Sequence, residues 1–416
     1  MSNKGKKPLI PKLRFPGFQG EWDSKYLREY LSESRVSGSK GDLAKKITVK
    51  LWGGGVLAKD ETIQGSVNTQ YFRRSAGQFI YSKLDFLNQA FGLIPNHLDG
   101  YESTVDLPCF DFSDGLNPVF LLEYVKRKEF YEKVGEVADG SRIAKRIHAE
   151  TFLDFPVLIP RPAEQKKIAD CLSSLDELIA AQARKVDALK THKKGLMQQL
   201  FPREGETQPR LRFPEFQGAT GWAVEKLEYL AKRGSGHTPS KSVPEYYGGG
   251  VKWVSLADSK RLDAGFISET ETNISELGIK NSSAVLHPAG TVLISRDAGV
   301  GKSAVMAVPM AVSQHFIVWN CDNQKLCNWF LYYLLQLMKP VFERIATGST
   351  IKTIGLPFFK ELSIAVPSVS EQKCIADCLT SLDALITAAT QELETFKTHK
   401  KGLMQQLFPS AEAVAA

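Results

Sequence analysis

The sequence contains no long apolar run, no closely paired cysteines and no strong excess of charge of one sign. No segment of its 416 residues approaches the roughly eighteen apolar residues that a membrane helix needs. The basic start, Met1 to Arg14, lacks the apolar core of a signal peptide, so we expect a cytoplasmic protein. The 53 Lys and Arg residues against 46 Asp and Glu give a net charge of +7, which suits a polyanionic partner without requiring one.

Cysteine spacing gives no support for a metal site. None of the six cysteines forms a CxxC pair, and His315 is the only histidine near two of them, Cys321 and Cys327. Cys171 and Cys378 occupy equivalent places in a repeat described next, where we expect small buried thiols.

A tandem repeat is the main feature of the chain. Glu164 to Pro202 returns as Glu371 to Pro409, with 27 of the 39 aligned residues identical. A second echo precedes each half: Leu13-Arg14-Phe15-Pro16 with Trp22, and Leu211-Arg212-Phe213-Pro214 with Trp222. The sequence is therefore a duplication.

Two dissimilar stretches, about 23–161 and 223–367, lie between the echoes. They share short matches: Gly53-Gly54-Gly55-Val56 with Gly248-Gly249-Gly250-Val251, Ala76-Gly77 and Ser82-Lys83 with Ala289-Gly290 and Ser295-Arg296, and Gly140-Ser141-Arg142-Ile143 with Gly348-Ser349-Thr350-Ile351. These matches predict one fold that carries two divergent surfaces.

Apolar periodicity predicts a mixed fold, α+β, for both stretches. Gln78 to Tyr81, Thr291 to Ile294 and Phe316 to Trp319 are typical of strands, whereas Val119 to Lys133 and Cys327 to Arg344 are typical of helices. We divide the chain into an N-terminal repeat segment (1–22), a first globular domain (23–161), a central long helix (162–202), a linker (203–222), a second globular domain (223–367), a distal long helix (368–409) and a tail (410–416).

The repeated segments predict coiled-coil helices, because apolar residues recur in steps of four and three over about five heptads. The predicted seam comprises Ile168, Leu172, Leu175, Ile179, Val186 and Leu189 in the first helix, and Ile375, Leu379, Leu382, Ile386, Leu393 and Phe396 in the second. Proline or serine before each helix suits its first turn. Antiparallel pairing of two such copies would give pseudo-two-fold symmetry and a spacer of roughly 55 Å, although sustained heptads can also serve only for dimerisation.

This layout resembles the specificity subunits of type I restriction-modification enzymes. The similarity covers nearly the whole chain: helices that begin at Glu-Gln-Lys and end at Leu-Phe-Pro, the Leu-Arg-Phe-Pro entry to each half, and Tyr246 to Val254 at the start of the second domain. The resemblance implies two target-recognition domains that bind a bipartite, asymmetric double-stranded DNA sequence. It also implies docking of two methyltransferase subunits and of restriction/translocase subunits, which would carry S-adenosylmethionine, ATP and Mg²⁺, whereas this chain would hold no cofactor.

Three segments resemble catalytic motifs only in part. Gly299-Val300-Gly301-Lys302-Ser303 ends like a phosphate-binding loop, but Arg296 stands where its first glycine should be. Asn117-Pro118-Val119-Phe120 lacks the second proline of the amino-methyltransferase loop, and a turn into a helix explains it better. Asp154 with Glu164-Gln165-Lys166 vaguely imitates a nuclease metal site, but Glu164 opens a helix, where a negative charge is favourable. We therefore predict a non-catalytic chain.

DNA contacts would come from basic and amide side chains. We predict, in the first domain, Arg73, Arg74, Lys83, Asn88, Gln89, Arg142, Lys145 and Arg146, and in the second, Lys252, Lys260, Arg261, Arg296, Lys302, Gln314, Thr350 and Lys352. Lys83 and Arg296 are favoured, because each follows a serine where a predicted strand ends.

Other functions fit parts of the same pattern. A fused nuclease or methyltransferase would need the motifs that are missing, and a coiled-coil adaptor would have little need for two different domains. A specificity subunit of a related modification or phage-defence system without the usual nuclease is the closest alternative.

Overall fold

The computed structural model describes residues 9–60, 65–136 and 146–409. The chain divides into two compact units. Unit 1 combines Met1–Ala183 with Gln391–Ala416, and unit 2 is Arg184–Thr390. Each unit therefore contains one globular domain, the first part of the long helix that follows it, and the last part of the other long helix.

Unit 1 is built from short strands and helices around an aromatic core. Its strands are β1 (Asp23–Tyr26), β2 (Leu31–Glu33), β3 (Ser37–Lys40), β4 (Ile47–Val49), β5 (Val56–Ala58), β6 (Gln70–Arg73), β7 (Phe79–Tyr81), β8 (Phe91–Leu93), β9 (Glu102–Ser103), β10 (Cys109–Phe112) and β11 (Pro156–Ile159). Its helices are α1 (Pro118–Val125), α2 (Lys128–Glu136), α3 (Ala149–Leu153) and the first part of α4 (Pro162–Leu200).

Unit 2 follows the same plan. Its strands are β12 (Ala223–Lys226), β13 (Ala231–Ser235), β14 (Tyr247–Val254), β15 (Phe266–Ile267), β16 (Asn273–Ile274), β17 (Val292–Ser295), β18 (Ser303–Met306), β19 (Ala311–Val312), β20 (Phe316–Cys321) and β21 (Ser363–Val366). Its helices are α5 (Leu227–Leu230), α6 (Glu276–Lys280), α7 (Asn328–Leu337), α8 (Lys339–Ile345), α9 (Leu356–Glu361) and the first part of α10 (Val369–Gln406).

The main sheets of the two units have the same strand order. Unit 1 has the order β2-β10-β7-β8, and unit 2 has β13-β20-β17-β18 with β15 added at the edge. A separate antiparallel pair joins the first and last strands of each domain, β1 with β11 and β12 with β21. The central strands β7 and β17 are fully buried, as expected for strands covered on both faces. The predicted mixed fold and its duplication are confirmed.

The long helices pair in an antiparallel manner within each unit. In unit 1, Lys400 Nζ lies 2.6 Å from an Asp176 oxygen. In unit 2, Lys193 Nζ lies 2.5 Å from an Asp383 oxygen. Lys193 and Lys400 are equivalent in the repeat, and so are Asp176 and Asp383. The two ion pairs therefore join equivalent positions with the two helices exchanged, as the predicted pseudo-symmetry requires. Every predicted seam residue is buried or half-buried.

The repeated entry segments attach each unit to its helices through buried side chains. The Arg14 guanidinium donates two hydrogen bonds to the Glu164 carboxylate, at 2.8 and 2.7 Å, and Arg212 does the same to Glu371, at 2.7 and 2.7 Å. Glu164 is therefore the acceptor in a buried ion pair, which is a more specific role than helix-start charge.

A buried glutamine follows each of these glutamates. Gln165 donates to the Pro160 and Gly115 carbonyls and accepts from the Asn117 amide. In unit 2, Gln372 makes the same three bonds, to the carbonyls of Pro367 and Lys325 and from the Cys327 amide. Each glutamine thus fixes the loop that leads into α1 or α7, and the motif at the helix start is structural.

Two predicted helices are each divided in two. The segment 119–133 forms α1 and α2, with a turn at Lys126-Arg127, where Arg127 packs over Tyr124 and Phe408 and donates to the Pro409 carbonyl. The segment 327–344 forms α7 and α8. Its division lies just before Pro340, which lacks the amide hydrogen that a continuous helix needs.

One predicted match between the domains is wrong at the structural level. Gly53 to Gly55 form the turn between β4 and β5, whereas Gly248 to Gly250 lie within β14. Parallel pairing indicates which segments of the two domains are equivalent. Lys46, just before β4, forms a parallel bridge with Glu102 of β9, and β14 pairs in parallel with β19. The segment around β4 therefore corresponds to β14. The match at 140–143 lies outside the described residues.

Candidate nucleic-acid interface

In unit 1, three chain segments meet at Lys83, the second residue after the central strand β7. The Lys83 amide donates to the Asp106 carbonyl at 3.0 Å, and the Ile147 amide donates to the Lys83 carbonyl at 3.0 Å. The preceding Ser82 amide donates to Ala90 at 2.8 Å. Lys83 is therefore held by its backbone on both sides, and its side chain is half-buried.

Unit 2 repeats this backbone arrangement after β17. The Arg296 amide donates to the His315 carbonyl at 2.9 Å, the Ile354 amide donates to the Arg296 carbonyl at 3.0 Å, and the Ser295 amide donates to Lys302 at 2.8 Å. We call these two equivalent three-segment junctions the frames of the two domains. The prediction that Ser82-Lys83 and Ser295-Arg296 share one structural place is confirmed, while their contact with DNA stays a prediction.

An open cleft of about 530 Å³ lies beside the frame of unit 2. Predicted residues Lys302, Thr350 and Lys352 line it, together with Lys339 and Glu343. Lys302 Nζ is held by the carbonyl and hydroxyl of Ser259, at 2.9 and 3.2 Å. The structure thus brings three of the predicted DNA-binding residues to one basic cleft.

The other predicted residues of unit 2 differ in how they are paired. Lys260 is exposed and follows the serine that holds Lys302, and Gln314 is exposed and precedes His315 of the frame. Arg261 forms ion pairs with Asp258 and Glu271, and Lys252, on β14, pairs with Glu269. The charges of Arg261 and Lys252 are therefore partly neutralised within the protein.

Arg74 is a correction to the predicted set, because its side chain is buried and fully engaged. Its guanidinium donates to the Ser103 hydroxyl at 2.8 Å, to the Ser34 carbonyl at 2.6 Å and to the Leu107 carbonyl at 3.3 Å. Burial lowers the pKa of this guanidinium. Arg74 therefore holds three segments of unit 1 together, whereas its neighbour Arg73, the last residue of β6, is exposed.

Asn88 and Gln89 belong to a loop whose backbone accepts hydrogen bonds from the turn between β4 and β5. The Asn88 carbonyl accepts from the Trp52 amide at 2.7 Å, and the Gln89 carbonyl accepts from Gly53 at 3.0 Å. Both amide side chains are half-buried, and that of Gln89 donates to the Tyr131 hydroxyl at 3.3 Å.

At the frame of unit 1, Arg146 is exposed and donates to the Asp106 carboxylate at 3.3 Å. The neighbouring predicted residues, Arg142 and Lys145, lie outside the described residues. Arg146 therefore lies at the surface beside Lys83. Its contact with Asp106 is exposed, so a water molecule or a phosphate could replace it.

Sequence reasoning missed two features of these surfaces. Trp52 is 68% exposed and adopts a left-handed backbone conformation with φ of 57°, in the loop supported by Asn88. His315 Nδ1 lies 2.7 Å from an Asp297 oxygen at the frame of unit 2. The sequence had singled out His315 only as a potential metal ligand, and the contact with Asp297 depends on strand pairing that no local pattern reveals.

The segment 299–303, which resembles a phosphate-binding loop in sequence, does not have the structure of one. Such a loop leads into a helix, whereas Ser303 begins strand β18, and Lys302 is held by Ser259. Asn117 caps α1 by accepting from the Phe120 amide at 3.0 Å, as the helix-turn interpretation expects. Asp154 pairs with Arg28, so it is not available to form a metal pair with Glu164.

No helix within residues 9–60, 65–136 and 146–409 is both long and apolar enough to cross a membrane. Within these same ranges, no three His, Cys, Asp or Glu side chains gather as potential metal ligands.

Comparison with protein-family models matches residues 219–395 to the type I restriction modification DNA specificity domain. The MjaIX type I restriction enzyme specificity subunit of Methanocaldococcus jannaschii is 32% identical over 169 residues, which are 40% of this chain and 38% of that protein. A MjaX specificity subunit of the same organism, described as putative, is 25% identical over 70% of this chain and 66% of its own length. The matches thus span less than two thirds of these relatives.

Solved structures share the fold at low identity. The type I restriction-modification system S subunit from M. genitalium superposes with a TM-score of 0.61 at 15% identity, covering 96% of this chain and 99% of that one. A chain from a structure of a type I R-M system gives a TM-score of 0.58 at 16% identity, with coverages of 96% and 100%. The fold shared with these proteins therefore extends over both units, and not only over the matched second half.

Proposed function

We propose that this chain is a type I restriction-modification DNA specificity subunit and that it recognises a bipartite, asymmetric DNA target. Each globular domain would bind one half of that target. The observation that carries this proposal is the pair of frames: two domains of one topology present different side chains at the same backbone position. Lys83 and Arg146 stand there in unit 1, and Arg296 stands there in unit 2.

The basic cleft of unit 2 suits the DNA backbone. Lys302, Lys339 and Lys352 line it within one domain, and phosphate oxygens are the commonest partners of such side chains. Lys339 is partly neutralised, because its Nζ lies 2.9 Å from an Asp263 oxygen. Arg296, held by its backbone at the adjacent frame, has the forked geometry that guanine recognition uses. We assign phosphate contact to the cleft and base contact to the frame.

The long helices would set the spacing between the two half-sites and dock the partner subunits. At 39 and 38 residues they span about 57–59 Å each, more than one turn of duplex. Two methyltransferase subunits and the restriction/translocase subunits would bind to this chain. Those partners would supply S-adenosylmethionine, ATP and Mg²⁺, and this chain would act in the cytoplasm as a non-catalytic reader.

Binding of the assembled complex to its target duplex at several salt concentrations tests the assignments. We expect Lys352→Ala to weaken binding to all sequences and to lower the salt dependence by about one phosphate contact. We expect Arg296→Ala to relax sequence choice within one half-site, with about 5- to 150-fold less discrimination. Unchanged binding by both variants would remove this surface from the site.

Lys325→Ala provides the matched control. Lys325 is exposed and lies beyond the far end of β20 from His315, so its loss removes one positive charge from another part of unit 2. This control should bind with the salt dependence and sequence choice of the parent chain. At the level of the cell, deletion of the gene should abolish a bipartite DNA methylation motif, and persistence of every motif would contradict the proposed function.

A further inference from the structure

We propose that Asp106 in unit 1 and His315 in unit 2 are specificity-determining residues that each contact a base of one half-site. Their carbonyls accept the hydrogen bonds of the Lys83 and Arg296 amides in the two frames. This inference rests on the proposed function and deepens it by naming the position that distinguishes the two domains. Neither residue belongs to the basic set that the sequence predicts to bind DNA.

The buried parts of the two frames are closely matched. Ser82 and Ser295 are both buried, and so are Ile147 and Ile354. The backbone hydrogen bonds at the two frames, including those of the preceding serines, join equivalent donors and acceptors at 2.8 to 3.0 Å. The duplicated domains have therefore kept the backbone geometry of this junction.

The side chains that point away from the core at the same junction have changed chemistry. Asp106, an acceptor of hydrogen bonds, stands in unit 1 where His315 stands in unit 2. Arg146 precedes Ile147 in the first frame, and Thr353 precedes Ile354 in the second. A fixed backbone that presents different hydrogen-bonding groups is what two domains need in order to bind two different half-sites.

His315 is held in a defined orientation, as base recognition requires. Its Nδ1 lies 2.7 Å from Asp297 Oδ2, and its side chain stays 32% exposed. Because a carboxylate oxygen can only accept, Nδ1 is the donor in this contact, and Nε2 is the ring nitrogen left to meet a base. Gln314 Nε2 lies 3.5 Å from that nitrogen, and the Gln314 oxygen accepts from Thr238 at 2.5 Å.

Asp106 has the corresponding exposure in unit 1. Its carboxylate is 55% exposed and contacts Arg146 at 3.3 Å. A carboxylate in the major groove accepts from the amino group of cytosine, and the adjacent Arg146 and Lys83 would offset its repulsion from phosphates. The two domains thus offer different donors and acceptors at one position.

The test is methylome sequencing of cells in which the chromosomal gene carries His315→Ala or Asp106→Ala. We expect His315→Ala to relax the motif at one or two adjacent positions of one half-site, with a loss of discrimination of about fivefold or more. Asp106→Ala should relax the other half-site only. In each variant the unaffected half-site reports that the chain is folded and assembled.

Asp297 is tested as a positioning residue by paired substitutions. Asp297→Ala should relax the same base positions as His315→Ala, whereas Asp297→Asn keeps an acceptor for Nδ1 and should restore them. Lys325→Ala, at the other end of β20, should leave the motif unchanged.

Three results would overturn the inference while leaving the proposed function in place. They are an unchanged motif in both alanine variants, loss spread evenly over both half-sites, and relaxation of the same half-site by both variants. If deletion of the gene leaves every methylation motif intact, the proposed function fails and the inference fails with it.

Discussion

The Arg212–Glu371 ion pair is expected to be a large contributor to the stability of unit 2. The side chains are 9% and 1% exposed, and they share two hydrogen bonds of 2.7 Å. Arg212→Ala leaves the Glu371 carboxylate buried beside Trp222 without its cation, which costs about 3–5 kcal/mol. For a unit of this size that cost lowers Tm by about 6–20 °C.

Thermal unfolding of the full chain, with hydrogen exchange to localise the effect, measures this prediction. Protection should fall in unit 2 and not in unit 1. The double variant Arg212→Met with Glu371→Leu removes both charges and should recover at least half of the lost stability. The reasoning is refuted if Arg212→Ala costs less than about 1 kcal/mol, a value typical of exposed pairs, or if the double variant is as unstable as the single one.

Two further predictions concern unit 1. Arg74→Met should destabilise the chain by about 2–4 kcal/mol, because it removes the donor to the buried Ser34 carbonyl and Ser103 hydroxyl and one of the two donors to the Leu107 carbonyl. Arg73→Met should cost less than about 0.5 kcal/mol, and urea unfolding compares the two variants. Burial opposes ionisation of Glu123, but Lys126 and Lys400 lower the pKa of its carboxyl. The ionised carboxylate therefore stabilises the fold above the ordinary pKa near 4.5, and the stability difference between the parent chain and Glu123→Gln should shrink as pH falls below that value.

The features that the sequence predicted well are those with a direct geometric signature. Apolar residues spaced by four and three positions lie along one face of a helix, and each predicted seam residue is indeed buried or half-buried. Duplication then supplied a second test, because the Lys193–Asp383 and Lys400–Asp176 pairs occupy equivalent positions.

The features that it missed depend on contacts between distant segments. Arg73 and Arg74 are adjacent, and alternation along a strand predicts that they face opposite ways, but not which one is buried. The partners of Arg74 are Ser34, Ser103 and Leu107, between 29 and 40 residues away in the chain. No local pattern links these residues, so composition alone made both arginines candidates for DNA contact.

The glycine triplets show why a sequence match between duplicated domains can mislead. Gly53 and Gly55 have φ of 70° and 78° in a hairpin turn, whereas Gly248 has φ of 74° next to an irregularity in β14. Both sites have a left-handed backbone conformation that favours glycine, so glycine occurs in both although the two sites lie at different places in the fold.

Similarity at the frames has a different physical origin, and this difference supports their role in recognition. Ser82 with Ser295, and Ile147 with Ile354, match because each pair meets the same buried environment. Asp106 and His315 share the backbone hydrogen bonds but not the buried environment, so packing places no common demand on their side chains. Neutral sequence change at a surface without function would also allow the two residues to differ. It would not explain why Asp297 holds His315 in one orientation. An orientation fixed by a 2.7 Å contact restricts the rotamers of an exposed ring, and that entropy cost is compensated when the ring binds a partner of defined geometry.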